Sequence, residues 1–388
     1  MTTRFLTLLL LLIAVSALAQ PDISGYYEHT FQLDYTDQTD ENILDASKLR
    51  VDLQSGGADG ELEFRGNVNI VYYHSDISFD ASPYLPAEIV AALNRFGATP
   101  DIDIERQRIY LDNAFLSWQM HKNLRLRVGK QQLAWGTGYS FNPTDLFHAK
   151  TLIDPTYEKE GVTAFRMDYR WGIGGQLAGI MAPDNDFASS GYAIRAASYF
   201  DAIGYDVAVT AHSVTDTTSL DPRTFLPRSQ RRQAVGLEFA GSPFGLGFWM
   251  EGNYNWMEVE DDFIRVVTGL DYTLENGLYL MAEAFYNQRA EEDAPYPIHD
   301  WLANLAYGEP IGPGWIMVGT RYDLTTLIVG SLYGFAAPDG SYLINPRLDI
   351  SIAQNADLVI FGAVTLGEDG GTFSSGLYSG FLRGTVYF

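Results

Sequence analysis

NLRLRVGKQQLAWGTGYSFNPTDLFHAKTLIDPTYEKEGV, residues 123–162, contains two kinds of local order that together decide the fold. The first part alternates. Leu124, Leu126 and Val128 point one way and Arg125, Arg127 and Gly129 the other, as successive side chains on a strand must. The second part has no such period and carries Asn142, Pro143, Asp154, Pro155, several aromatics and both signs of charge. A strand with aliphatics on one side and guanidinium groups on the other suits a wall between lipid and water. A long loop directly after it suits a segment that folds back and narrows the enclosed passage.

The same two-residue period recurs along the chain. It runs through Ile23, Tyr27, Phe31 and Leu33, then Leu49, Val51 and Leu53, then Leu62, Phe64, Val68, Ile70 and Tyr72, each set interleaved with polar residues. Reading on to the C-terminus gives roughly eighteen such segments, each near the length a tilted strand needs to cross a bilayer, with sixteen as the alternative. The connections alternate in length. Tight turns fall at 55–59, 121–123, 172–174, 201–203, 241–243, 275–277 and 354–356, and longer segments at 36–46, 74–104, 135–161, 215–229 and 289–313. Short turns at one end and long loops at the other are what a bacterial barrel shows. The expected fold is therefore all-β: a closed antiparallel transmembrane β-barrel with long extracellular loops and an infolded third loop, a single domain over 20–388. A phase change between Leu111 and Ala114 predicts a bulge near Asn113.

A magnitude orients the two faces. Lys48, Arg50, Arg65, Arg106, Arg108, Arg125, Arg127, Arg166, Arg170, Arg195, Arg232, Arg265, Arg321, Arg347 and Arg383 share the polar phase. One Arg or Lys turned to mid-bilayer lipid costs about 2–4 kcal/mol, and several would exceed a typical folding stability of about 5–15 kcal/mol. The polar phase therefore faces a lumen. Trp118, Trp171, Phe200 and Phe244 beside short turns, and Trp256, Tyr286 and Trp315 beside long loops, fit interfacial girdles, while Trp249 falls on the lumen phase.

The ends and the composition exclude other classes. Residues 1–19 read as a signal peptide, with Arg4, an apolar run and an Ala17-Leu18-Ala19 cleavage site, so export to a bacterial outer membrane is expected. Its removal leaves 24 basic against 49 acidic residues, a net charge of −25, which argues against nucleic acid as a partner. There is no cysteine, which excludes thiol catalysis and thiolate metal sites. Outer-membrane lipid is the expected surroundings. The last strand ends in Leu382, Val386 and Phe388 on the lipid phase and is placed to close the ring.

The signal peptide, the amphipathic strands and the terminal Phe388 preceded by Val386 and Tyr387 resemble bacterial outer-membrane barrels across the mature chain. Two segments are similar, more narrowly, to alginate-export-type porins and related families. One is RIYLD at 108–112 with LRLRVGKQ at 124–131 and WG at 135–136. The other is PDGSYLINPR at 338–347. That resemblance implies a monomeric barrel of about eighteen strands with an arginine-lined conduit, delivered to the membrane by a barrel-assembly machinery that reads Phe388.

Three constellations follow. Arg50, Arg65, Arg106, Arg108, Arg125, Arg127, Arg166 and Arg170 lie on consecutive strands and form a basic wall, facing an acidic wall of Glu238, Glu251, Asp271 and Glu283. Such walls either orient solutes or pair into a lattice that fills the lumen. The loop would bring Asn142, Asp145, His148, Lys150, Asp154, Glu158 and Lys159 opposite the arginines as a constriction. Residues 86–96 read as one short amphipathic helix. The acidic clusters at Asp37, Asp40, Glu41 and Asp45, at Asp216 and Asp221, at Glu258, Glu260, Asp261 and Asp262, and at Glu291, Glu292 and Asp293 read as solvated loop surface. His29, His74, His121, His148, His212 and His299 show no metal-ligand spacing, so no metal and no cofactor are expected. His212 and Ser213 are adjacent on a strand and face opposite sides, a poor catalytic pair. The expected function is a non-enzymatic channel for small hydrophilic solutes, anions and oligosaccharides included. The alternatives are a surface-attachment or polysaccharide-binding barrel with a filled lumen and, second, a barrel hydrolase.

Overall fold

A computed structural model describes residues 21–388 except 37–38, 57–60, 75–77, 81, 83–86, 96, 98, 100, 104, 148–160, 173, 185–188, 221–226, 243–244, 292, 295, 297–299, 301–303, 305–309, 369–370 and 374–375. The strands begin with β1 (Asp22–Thr36), β2 (Thr39–Gly56), β3 (Leu62–Tyr73), β4 (Ser78–Asp80), β5 (Asp101–Asp103), β6 (Gln107–Tyr110) and β7 (Ala114–His121). They continue with β8 (Leu124–Gln131), β9 (Val162–Trp171), β10 (Gly175–Ala182), β11 (Gly191–Phe200), β12 (Tyr205–Leu220), β13 (Pro227–Gly241) and β14 (Gly247–Met257). The last are β15 (Phe263–Thr273), β16 (Tyr279–Asn287), β17 (Gly314–Thr325), β18 (Ile328–Ala336), β19 (Tyr342–Ala353), β20 (Ala356–Leu366) and β21 (Leu377–Tyr387). Among the described residues a helix, α1 (Ala87–Arg95), lies between β4 and β5 where the amphipathic segment predicts it.

Antiparallel pairing runs from each strand of the main sheet to its neighbour round the ring, and β1 returns to β21 from Tyr26↔Tyr387 to Thr36↔Leu377. Gly25 and Phe388 exchange both backbone hydrogen bonds at 3.0 Å just below that ladder. The sheet has 19 strands; β6 and β7 pair in succession with β3 and share one position, so the ring has 18. The barrel is closed, as hydrocarbon requires, and the count is the expected one rather than sixteen. A separate two-stranded hairpin, β4–β5, belongs to the long segment after β3.

The break between β6 and β7 is the expected irregularity. Asn67 staples it: its Oδ1 accepts from the N–H of Asp112 at 2.9 Å and of Asn113 at 3.2 Å, and its own N–H donates to the Asn113 carbonyl at 2.9 Å.

The outer face is apolar as the parity requires. Leu116, Val128, Phe165, Met167, Ile194, Val209, Leu237, Leu270, Ile316, Val318, Ile360 and Leu382 are all exposed, one or two to a strand. Arg50, Arg232 and Arg265 are buried on the inner face. Trp118, Trp171, Phe200, Trp256 and Tyr286 are exposed near strand ends, and Phe244 lies outside the described residues. Trp315 departs from its expected place in the girdle. It is buried, donating its indole N–H to the Ile311 carbonyl at 2.9 Å, because Ile316 and Val318 take the outward phase and leave Trp315 the inward one.

Two expected long loops are short. β1 and β2 stay paired up to Thr36↔Thr39, so 36–46 is mostly strand. β12 and β13 stay paired up to Leu220↔Pro227, so 215–229 is mostly strand as well. Near their tips both hairpins carry polar residues at successive positions, 39–42 and 215–219, so the alternation of hydrophobicity that marks a strand disappears.

Candidate functional site

Residues 132–147 leave β8 and cross the lumen. Their partners sit on β14 and β16, six and eight places round a ring in which nine would be directly opposite. The loop is sewn to two buried carboxylates. Glu283 on β16 accepts the N–H groups of Tyr139 at 2.6 Å, Ser140 at 2.8 Å and Phe141 at 3.1 Å, and the indole N–H of Trp249 at 2.8 Å. Glu251 on β14, fully buried, accepts the Thr137 N–H, the Thr137 hydroxyl at 3.3 Å and the Thr144 N–H at 3.5 Å. A carboxylate removed from water needs such donors, and aligned backbone N–H groups supply them without a cation.

The loop sequence explains the approach. Gly136 has φ +95°, a backbone state costly for other residues, and a Cβ there would meet the Glu251 carboxylate. At Gly138 a Cβ would run into the Phe141 carbonyl. Asn142 donates to the Trp135 carbonyl at 3.2 Å, Asp145 caps the Phe147 N–H at 3.1 Å, and Asn253 donates to the Pro143 carbonyl. Apolar contacts anchor both ends. Leu133 and Trp135 pack on Ala164, Ala178, Ile180 and Ala193 of one wall, and Phe141 stacks on Phe285 of the other with centroids 4.6 Å apart. Tyr139 stacks on Tyr333 with their hydroxyls 3.0 Å apart; burial, then that hydrogen bond, pushes its phenol pKa up, so it stays protonated.

Several members of the basic wall are paired. Arg50 pairs with Asp52 at 2.9 Å and Asp112 at 3.6 Å, Arg65 with Glu63 at 2.7 Å, and Arg166 with Asp168 at 2.8 Å. Arg125 donates to the Gln119 side chain at 2.8 Å. Arg106 and Arg108 are exposed beside the long-loop end of β3, the Arg108 guanidinium 4.6 Å from the Tyr110 ring centre, and Arg170 is exposed near the 172–174 turn. Arg127 makes no hydrogen bond or ion pair with a described residue. It stands directly across the ladder from Arg166, and Arg166, Arg125 and Arg65 are its charged neighbours, with Asp168 the acid among them.

The acidic wall serves the loop more than the passage. Glu251 and Glu283 are taken up as above, Glu238 binds Arg195 at 2.7 Å, and Asp271 accepts the Tyr279 hydroxyl at 2.9 Å. His148, Lys150, Asp154, Glu158 and Lys159 lie outside the described residues.

Sequence reading missed a second arginine cluster at the long-loop mouth. Arg232, Arg265 and Arg289 surround one ring, Phe263, at 5.0, 5.2 and 5.3 Å. Asp216 joins Arg289 at 3.1 Å and Arg232 at 3.5 Å, and Glu260 joins Arg289 at 2.7 Å. Asp216 is thus a buried ion-pair partner and not the solvated loop residue expected. Nor are the histidines all apart: His29, Asp45 and His74 come together, which corrects the expectation that no group of metal-ligating residues forms. His212 is buried against Trp135 at 5.5 Å and Phe147 at 6.2 Å. Asp37, Asp221, Glu292 and His299 lie outside the described residues, and of Asp40 and Glu41 only the strand backbone is described.

With a closed ring and a loop across it, the chain superposes over 96% of its length on solved bacterial channels. Pseudomonas aeruginosa OpdK, crystallised with vanillate, covers 99% of its own chain at TM-score 0.62 and 10% identity. Pseudomonas aeruginosa OccK9 (OpdG) covers 99% at 0.62 and 12% identity. Acinetobacter baumannii OccAB1 covers 97% at 0.61 and 10% identity. The fold is that of the porin-type barrels. Neither a family model nor a curated protein matches the sequence.

Proposed function

We propose that the protein is an outer-membrane channel through which small hydrophilic solutes, anions preferred, diffuse past a fixed constriction. The observation that carries this reading is the latched loop: it confines the passage and consumes Glu251 and Glu283, acids that would otherwise repel anions, while Arg127 and its neighbours stay on the wall at the root of the loop. That OpdK was crystallised with vanillate, a small aromatic carboxylate, supports the solute class. The narrower likeness to alginate-export-type porins rests on the two sequence motifs.

The test is the reversal potential of the purified chain in a planar bilayer under a salt gradient. The wild-type protein should prefer chloride to potassium. Arg127→Glu changes the charge by two units; at about 8 Å in water each unit is worth about 0.5 kcal/mol, so the permeability of either ion should shift about fivefold. Absence of conductance steps in every salt would move the reading to a filled barrel whose loops bind polysaccharide.

A further inference from the structure

The outward face of β1–β3 carries a polar group that the channel reading does not use. His29 shares the phase of the exposed Tyr27 and Phe31, Asp45 and Ser47 that of Ile43 and Leu49, and His74, just past β3, that of Tyr72. Two imidazoles, a carboxylate and a hydroxyl thus stand together on a face that is otherwise apolar, where unpaired polar groups are costly. Three strands bring them there. The register sets His29 directly opposite Ser47 and Ser47 opposite Tyr72, and the His74 N–H donates to the Asp45 carbonyl at 2.8 Å.

We propose that His29, Asp45 and His74 form a binding site for a zinc-type divalent cation on the outer wall of the barrel. One ligand atom from each of the three lies within 4.8 Å of the others. Zinc bonds of 2.0–2.2 Å to nitrogen and oxygen place tetrahedral ligands about 3.3 Å apart, so the set closes with side-chain rotations on the order of 1 Å. His29 Nε2 and Asp45 Oδ1, at 3.2 Å, already have that spacing. Ser47 Oγ sits 3.0 Å from His29 Nδ1 and 2.8 Å from His74 Nε2, and 2.9 Å from the Tyr27 hydroxyl. A hydroxyl on Nδ1 fixes the His29 ring and leaves its Nε2 toward Asp45, the kind of support metal-bound histidines have. Two imidazoles and one carboxylate, with the fourth place open to water, suit zinc and its transition-metal neighbours and not calcium or magnesium, which take oxygen ligands. A bound ion would neutralise Asp45 and tie the β1–β2 hairpin to the root of the 74–106 segment, beside the seam where the ring closes.

Equilibrium dialysis of the tag-free full chain in detergent against zinc chloride, with magnesium chloride as the control, tests the site. One zinc per chain is expected, with magnesium bound far more weakly. His29→Ala and His74→Ala should each weaken zinc binding about tenfold or more, and Ser47→Ala about tenfold through the ring it orients. Cobalt should give visible absorption bands that both histidine variants lose. Zinc should also shield His29 and His74 of the unaltered chain from diethyl pyrocarbonate, read by mass spectrometry, a measurement that needs no variant to fold. Zinc affinity unchanged in the double alanine variant, or the two histidines modified equally fast with and without zinc, would overturn the proposal. Either result leaves the channel reading untouched, because the site is on the other face of the wall.

Discussion

Glu283→Ala is expected to release the loop from the far wall and raise single-channel conductance, with noisy transitions replacing a steady level. The substitution removes the acceptor of four donors in a buried place. Each hydrogen bond to a charged group is worth about 1.5–3 kcal/mol, and each buried donor left without an acceptor costs about 1–3 kcal/mol. Even a net loss of about 3 kcal/mol is roughly a 150-fold change in the docked-to-undocked ratio. Phe141 on Phe285 and the Glu251 contacts remain, so Glu251→Ala combined with Glu283→Ala should open the passage further than either alone. Glu283→Gln keeps one acceptor oxygen and should give an intermediate conductance. Conductance at the wild-type level in the double variant would show that the carboxylates do not hold the constriction. The β-barrel itself should survive all three changes, because no ladder hydrogen bond is touched.

Val128→Arg should lower stability in lipid vesicles by about 2–4 kcal/mol, the cost of a cation on the lipid face near mid-membrane. Val128 is 55% exposed, one residue from the lumenal Arg127. The informative comparison is positional, since the same side chain at 127 is tolerated and at 128 is not. Urea unfolding in vesicles reads the difference, and an unchanged midpoint in Val128→Arg would mean that this face meets water. A salt series separates the two sites again, because a lumenal charge is screened by electrolyte and one in hydrocarbon is not.

The barrel was legible in the sequence because one physical rule, an apolar outer face alternating with an inner face that takes the charged residues, recurs round the ring. The alternation at 124–128 and the phase change at 111–114 both found their counterparts, in β8 and in the Asn67-stapled break. What failed did so where that rule lapses. The hairpin ends at 39–42 and 215–219 are polar at successive positions and carry no period. The latch was only half visible. The loop could be marked as infolding from its length and composition, but Glu251 and Glu283 looked like channel lining, because sequence does not say that backbone N–H groups will reach them. The basic wall was overstated for a simpler reason: Arg50 and Asp52, Arg166 and Asp168, and Arg347 and Asp349 are each two residues apart, and on a strand that spacing puts both charges on one face within 2.8–2.9 Å. Arg-x-Asp on an inward strand is a signal of neutralisation. The gathering of His29, Asp45 and His74 depends on the register of β1, β2 and β3, which local composition does not specify.

The loop leaves the fifth stave of the ring, rests Leu133 and Trp135 on the sixth to eighth, and is received by the eleventh and thirteenth. The half of its seat that holds Thr137 to Thr144 exists only once those later staves are in place. The loop thus joins early staves to late ones, and the two glutamates fasten it only when the strands that carry them have formed.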